Sequence, residues 1–231
     1  MRVLFEDNHC LAVDKPAGLL TQAPHGIPSL ESDVRAYLKS TYHKSGNVYL
    51  GIPHRLDRPV SGVILFAKTS KAAERLAEQF RERQVRKLYW GLAEGTVAEA
   101  EGEWRDWLRK IPDESRSVKA EPGEVGAKEA VLRYRRLREV DGGTLLEFTL
   151  ETGRMHQIRL QASLRGHPLW GDSAYGATKL FGPPADLARD RIIALHARSL
   201  TFLHPIRYEP LTVEAELPEA FRSVVENSDI R

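Results

Sequence analysis

One cysteine, Cys10, is all the thiol chemistry available to this chain of 231 residues. That excludes an internal disulfide and any cluster of thiolate metal ligands, suits a reducing compartment, and leaves Cys10 as a small buried residue. Long hydrophobic runs are absent too, and Met1-Arg2-Val3-Leu4-Phe5-Glu6-Asp7 turns acidic before a secretory apolar region can form. No membrane association and a soluble, cytoplasmic protein are therefore expected. An excess of one charge is also missing. The 34 Lys and Arg nearly balance 32 Asp and Glu, so the net charge of +2 excludes an overwhelmingly cationic nucleic-acid coat but leaves room for a local basic cleft. His54, His156, His167, His196 and His204 lack a compact zinc-ligand spacing such as His-Glu-x-x-His. They read as core or loop histidines, with no metal expected.

What is present suits one substantial core: 42% of the residues are apolar and 29% charged, without an internal repeat or flexible linker. The whole chain, 1–231, is read as a single domain. Short strands are predicted at Val3 to Phe5 and Leu11 to Val13, and Lys15-Pro16-Ala17-Gly18 breaks the second. Ser29 can cap a helix reaching Ser40, and Thr69 or Ser70 one reaching about Arg83. Further strands are predicted at 63–67, 87–92, 130–137, 144–150, 192–195 and 211–215, with a helix over 155–164. Asp141-Gly142-Gly143 reads as a hairpin turn. The segment carrying Trp104 and Trp107 reads as an acidic loop, and 112–126 as a loop without apolar periodicity. Strands with interspersed helices and no regular βαβ alternation predict an α+β domain with a mixed, mainly antiparallel sheet.

Four polar segments stand out. In His54-Arg55-Leu56-Asp57-Arg58-Pro59-Val60-Ser61-Gly62 one carboxylate lies between two arginines, just before the apolar run from Val63. Flanking cations favour the charged form of such a carboxylate, which then serves as nucleophile or base; the plainer alternative is a solvated turn with a surface ion pair. Gly153-Arg154-Met155-His156-Gln157-Ile158-Arg159 opens a predicted helix after a strand, where backbone N–H groups and cations can hold phosphate. Arg86-Lys87-Leu88-Tyr89-Trp90 joins two cations to aromatics that can stack a base, or simply fill a core. Gly171-Asp172-Ser173-Ala174-Tyr175-Gly176 is a turn-rich loop to which no chemistry is assigned.

Taken together, His54 to Arg58 with Ser61-Gly62 and Ala67-Lys68-Thr69 resemble the signature of RluA-type pseudouridine synthases. Lys87-Leu88-Tyr89, Gly153 to Arg159, Gly171-Asp172 with Tyr175-Gly176, and Leu195-His196-Ala197 follow in that family's order and cover most of the chain. Two positions depart from the pattern, Pro59-Val60 before Ser-Gly and Gly91 where alanine is usual. The sequence opens on what resembles the catalytic domain's first strands, so the N-terminal RNA-binding domain of the S4 type that many relatives carry is not expected.

The resemblance implies isomerisation of uridine in ribosomal or transfer RNA to pseudouridine, without redox change or energy source; no cofactor, metal or obligate protein partner is expected, and a monomer is the default expectation. It maps the catalytic carboxylate to Asp57, the arginine that pairs with it to Arg154, and the active-site tyrosine to Tyr89, with Leu195 as an apolar wall. The target uridine is expected to be flipped out of its stack, with Arg55 filling the vacated space. Arg86, Lys87 and Arg159 are candidate phosphate contacts, and loops 112–126 and 177–190 candidate substrate contacts. The competing readings are a non-catalytic RNA-binding module derived from this fold and a glycoside hydrolase. The latter needs a second carboxylic acid that no motif here marks.

Overall fold

Helices and antiparallel strand pairs alternate along the computed structural model, which describes residues 1–187 and 190–227. The architecture is α+β with mainly antiparallel pairing. Two units can be distinguished, one built from Met1–Arg86 with Ala197–Glu216 and the other from Lys87–His196 with the chain from Leu217 on. No helix among the described residues is long and apolar enough to cross a membrane.

In the first unit, β1 (Arg2–Glu6) and β2 (Cys10–Lys15) form a hairpin. The Asp7 carboxylate holds its turn by accepting from the backbone N–H groups of His9 and Cys10, both at 2.7 Å. β3 (Ser61–Ala67) pairs antiparallel with β2 and is buried along its whole length, as its unbroken apolar sequence requires. Next in order comes β9 (Leu195–Leu203, which enters this unit at Ala197), and β10 (Pro210–Glu214) pairs antiparallel with β9. Two helices follow their sequence signals closely. α1 (Leu30–Thr41) starts at a capping box between Ser29 and Ser32 and buries Leu30, Val34 and Leu38. α2 (Ser70–Arg81) is capped by the Thr69 hydroxyl, packs on β3, and adds Ala72 and Leu76 to a core that also holds Val63, Leu65, Leu200 and Phe202.

The second unit carries the strand order β4-β8-β7-β5-β6. β4 (Arg86–Glu94, in this unit from Lys87), β8 (Gly143–Leu150), β7 (Lys128–Val140), β5 (Glu101–Lys110) and β6 (Ser117–Ala120) pair antiparallel throughout that order. The hairpin β7–β8 closes over Asp141 and Gly142 alone, with Gly142 at φ +77°, so Gly143 is already strand. A Cβ at Gly143 would meet the Ala93 carbonyl at 2.4 Å, which is why glycine starts β8. α3 (Gln157–Leu164) packs on β5 and β6, and α4 (Glu219–Asn227) closes the described chain. Phe221 of α4 joins Leu92, Leu145, Trp170 and Phe181 in the core.

Four expectations are corrected. The segment of Trp104 and Trp107 is strand β5, not a loop, because its exposed face is lined with charges that pair across strands: Arg105 with Glu129, and Glu103 with Arg133. The segment 112–126 contains β6, a four-residue edge strand too short to show a period. Residues 191–194 are not a strand; β9 begins at Leu195, and Ala194 instead exchanges single backbone bonds with Leu92 and Trp170. α3 starts at Gln157 and not at 155, because His156 before it adopts a left-handed conformation, φ +55°.

Candidate active site

Residues 52–60 of the first unit carry Asp57 yet belong to no strand or helix. Their backbone must find hydrogen bonds elsewhere, and the loop after β2 supplies them on both sides of Asp57. Before it, the Thr21 hydroxyl donates to the Leu56 carbonyl at 2.9 Å and accepts from the Leu56 N–H at 3.2 Å. After it, the Arg58 carbonyl accepts from the Gly18 N–H at 2.8 Å, and Arg58 Nε donates to the Gly18 carbonyl at 2.9 Å. Lys15 adds a third anchor from a fully buried position. Its Nζ donates to the carbonyls of Pro16 at 3.0 Å, Leu19 at 2.7 Å and Arg58 at 3.2 Å. Three carbonyls match the three hydrogens of an ammonium, but burial pushes Lys15 down to about 7, opposed by the nearby Asp57 carboxylate.

The neighbours of Asp57 are placed for different work. Arg55 is exposed, while Asp57 and Arg58 are half-buried. His54 stacks on Phe80 at 4.6 Å, and its Nε2 accepts from the Leu65 N–H at 2.9 Å, so this imidazole braces β3. Gly62 has φ +116°, and a Cβ there would stand 2.2 Å from the Ala197 carbonyl oxygen. The glycine of Ser61-Gly62 thus allows the backbone at Ala197 to approach, which joins two segments that are far apart in sequence.

In the second unit Tyr89 is a half-buried residue of β4, opposite Phe148 of β8. Arg86 is exposed and Lys87 half-buried, and a Cβ on Gly153 would lie 3.5 Å from Lys87 Nζ. The segment of Lys87 and Tyr89 therefore runs beside that of Gly153 and Arg154. At Gly91 a Cβ would stand 3.1 Å from the Phe148 ring and 3.3 Å from the Ala194 carbonyl, closer than ordinary van der Waals contact. Leu195 is buried.

Arg154 is held at two points. Its backbone N–H donates to Gln157 Oε1 at 3.0 Å and its Nε to the Glu129 carbonyl at 2.8 Å. The same Gln157 oxygen accepts from the Thr152 hydroxyl at 2.7 Å, so a buried amide ties the strand end to the turn. Arg159 takes a different place from that expected of a phosphate contact. Its side chain is 7% exposed and grips Asp172, itself 1% exposed, through two hydrogen bonds of 2.7 and 2.8 Å. Tyr175 completes this staple, its hydroxyl meeting His156 Nδ1 and the Ser117 N–H, each at 2.9 Å. The turn-rich loop 171–176 thus fixes α3 and the residues before it.

Lys15, Thr21, Asp172 and Tyr175 are the contributors to which sequence reasoning assigns no task, whereas Gln157, expected to satisfy backbone or RNA groups, accepts from the Arg154 backbone N–H. Asp172 and Tyr175 lie inside a segment already singled out, but nothing local marks Lys15 and Thr21, which each reach a backbone group about 35 to 43 residues away. In loop 177–190, residues 188 and 189 lie outside the described residues.

A metal-like group also occurs, with donor atoms of Asp7, Cys10 and His204 within 4.8 Å of one another. Its donors are already engaged. His204 Nε2 donates to Asp7 at 2.7 Å while Nδ1 accepts from the N–H groups of Ile206 and Arg207, and burial together with Asp7 pushes the Cys10 thiol up to about 12. Arg207 occupies the same Asp7 carboxylate.

Comparison with known proteins places these residues in a context. Residues 9–164 match the family described as RNA pseudouridylate synthase. The chain is 37% identical over 222 residues to an uncharacterized RNA pseudouridine synthase of Zymomonas mobilis, covering 95% of each chain. It is 33% identical over 228 residues to another uncharacterized RNA pseudouridine synthase, from Synechocystis, covering 96% of this chain and 67% of that one. It is 36% identical over 230 residues to ribosomal large subunit pseudouridine synthase D of Xylella fastidiosa, covering 94% of this chain and 66% of that one. Against several curated relatives, then, the chain spans about two thirds of their length. Among solved structures, human RNA pseudouridylate synthase domain containing 4 shares the fold with a TM-score of 0.80 at 24% identity, covering 99% of this chain and 93% of that one.

Proposed function

The chain belongs to the RNA pseudouridylate synthase family, and on that premise we propose that it isomerises specific uridines of structured RNA to pseudouridine. Ribosomal RNA is the first substrate to try, because relatives at this level of identity are named for the large ribosomal subunit. The observation that carries the reading is that Asp57, Tyr89 and Arg154 all fall within the matched residues 9–164. Both backbone flanks of Asp57 are held by polar contacts, as a reacting carboxylate requires.

In the reaction the bond between N1 of uracil and C1′ of the sugar breaks, the detached base turns, and C5 bonds to C1′. The C5 proton leaves and N1 regains a proton, so atoms and electrons balance without a redox partner. The ionised Asp57 carboxylate either attacks C1′ or removes the C2′ proton; both routes start from the same group. Arg154 pairs with that carboxylate, and Tyr89 stacks on the base and helps remove the C5 proton. A stacked uridine offers no access to C1′, so the nucleotide is flipped out, with Arg55 taking its place and Leu195 lining the base. Arg86 and Lys87 contact phosphates; the buried engagement of Arg159 with Asp172 leaves it to support α3. In this proposal the chain 1–231 works as one catalytic domain.

The test is tritium release from unmodified ribosomal and transfer RNA labelled at uridine C5, comparing the natural protein with Asp57→Asn. Release is expected from the first alone, with RNA binding kept by both. Equal release from both proteins would remove Asp57 from the chemistry. Binding without release from any of these RNAs would favour a module that holds RNA without modifying it.

A further inference from the structure

The chemistry asks the Asp57 carboxylate to keep its aim while a base leaves and turns, yet the segment around it has no ladder and no helix to stiffen it. We propose that Thr21 is a positioning residue for this reaction, its hydroxyl standing in for the missing neighbouring strand at Leu56. The inference rests on Asp57 being the reacting carboxylate.

Leu56 immediately precedes Asp57 and is 7% exposed, so water is poorly placed to serve its N–H and carbonyl. The Thr21 hydroxyl serves both at once, donating at 2.9 Å and accepting at 3.2 Å. One side chain makes the pair of hydrogen bonds that an antiparallel partner residue would make through its backbone. Thr21 is itself firmly held. It is 3% exposed, its carbonyl accepts from the Glu31 N–H at 3.0 Å, and the adjoining Leu20 carbonyl accepts from the Leu30 N–H at 2.8 Å. These bonds tie it to the first turn of α1, whose capping box anchors the helix start. Position is passed from α1 through Thr21 to Leu56, and across one peptide to Asp57. Gly18 and Lys15 hold the other flank through Arg58. Removing the Thr21 hydroxyl would free one flank and leave a buried donor and acceptor unpaired, while the other flank stays tied.

The substitutions that isolate this effect are Thr21→Val, which keeps shape and removes both bonds, Thr21→Ala, which keeps neither, and Thr21→Ser, which keeps the hydroxyl. For Thr21→Val, kcat for tritium release is expected to fall about tenfold to a hundredfold, the scale set by small misplacements of reacting groups. KM and RNA affinity should stay within about twofold, since nothing that grips the RNA is altered; a global folding defect would instead lower the active fraction and melting temperature together. Thr21→Ser should restore kcat, and Leu56 amide hydrogen exchange should quicken in the valine protein and slow again with serine. Should Thr21→Val fail to fold, Thr21→Ala carries the same expectation. Wild-type kcat in whichever of the two is folded, or a loss that serine does not rescue, overturns the proposal. Absence of release from the natural protein would instead sink the synthase reading, and Leu56 exchange would still decide whether Thr21 holds this segment.

Discussion

Lys15 is fully buried at the end of β2, and burial draws its ammonium down to about 7, with the Asp57 carboxylate opposing and Arg58 reinforcing the shift. The sign of the resulting stability effect follows from proton counts. Between pH 7 and the ordinary lysine range near 10.5 the unfolded chain binds the proton that the folded chain has released, so stability attributable to this residue rises with pH across that window. Below pH 7 both states are protonated and the full burial cost applies. Lys15→Met removes the titration, so the stability of the natural protein relative to this variant should climb between pH 7 and 10, by up to about 1.4 kcal/mol per pH unit. Urea unfolding of both proteins at three pH values checks this, and a constant difference would mean that Lys15 does not change its protonation on folding. Lys15 also shows where sequence reasoning stops at this scale. Lys15-Pro16-Ala17-Gly18 is legible as the end of a strand, but the carbonyl of Arg58 that accepts from its ammonium is brought there only by folding.

At the scale of elements, β3 and the chain around Ala197 meet through the absence of one side chain. Gly62 stands at φ +116°, where an L residue is strained, and the carbonyl of Ala197 fills the space that a Cβ would need. Gly62→Ala should therefore lower stability by about 3 kcal/mol or more, or prevent accumulation of folded protein. The urea midpoint reads the first outcome, and soluble yield the second; a shift of less than about 0.5 kcal/mol would show that the backbone there can move apart freely. The helices α1 and α2 are readable because caps and apolar spacing are local, Ser29 and Thr69 being the clearest marks. β5 is not, because Glu103, Arg105 and their cross-strand partners dress its solvent face in charge and hide the alternation beneath. α4 is hard to see for a related reason: its anchor Phe221 is a single large residue, whose value lies in Phe181 and Trp170 beside it.

Over the whole molecule, charge is balanced both in number and in place. Arg105, Arg133, Arg135 and Arg136 each have a glutamate partner along the strands of the second unit, so these four cations are already compensated. The salt dependence of RNA binding should then come from other cations. Substituting Arg86 and Lys87 together by alanine is expected to reduce the slope of log K against log salt by about 0.7 to 0.9 for each phosphate that is no longer neutralised. Filter binding of unmodified ribosomal RNA across a salt series gives the slope. An unchanged slope would remove both residues from the phosphate interface.

Sequence alone determined the family, the class of fold and the identity of the polar segments. These follow from residue types at fixed local spacing, and His54 to Arg58, Lys87 to Tyr89 and Gly153 to Arg159 carry them without reference to anything distant. Only the tertiary structure decided what holds those segments in place. It gave Asp57 its supports in Thr21, Gly18 and Lys15, turned Arg159 inward onto Asp172, and set the Ala197 carbonyl against Gly62. The physical reason is the same in each case. A buried backbone carbonyl, N–H or guanidinium must be satisfied wherever it ends up. The partner that does so is chosen by packing in three dimensions, among residues whose separation along the chain carries no signal.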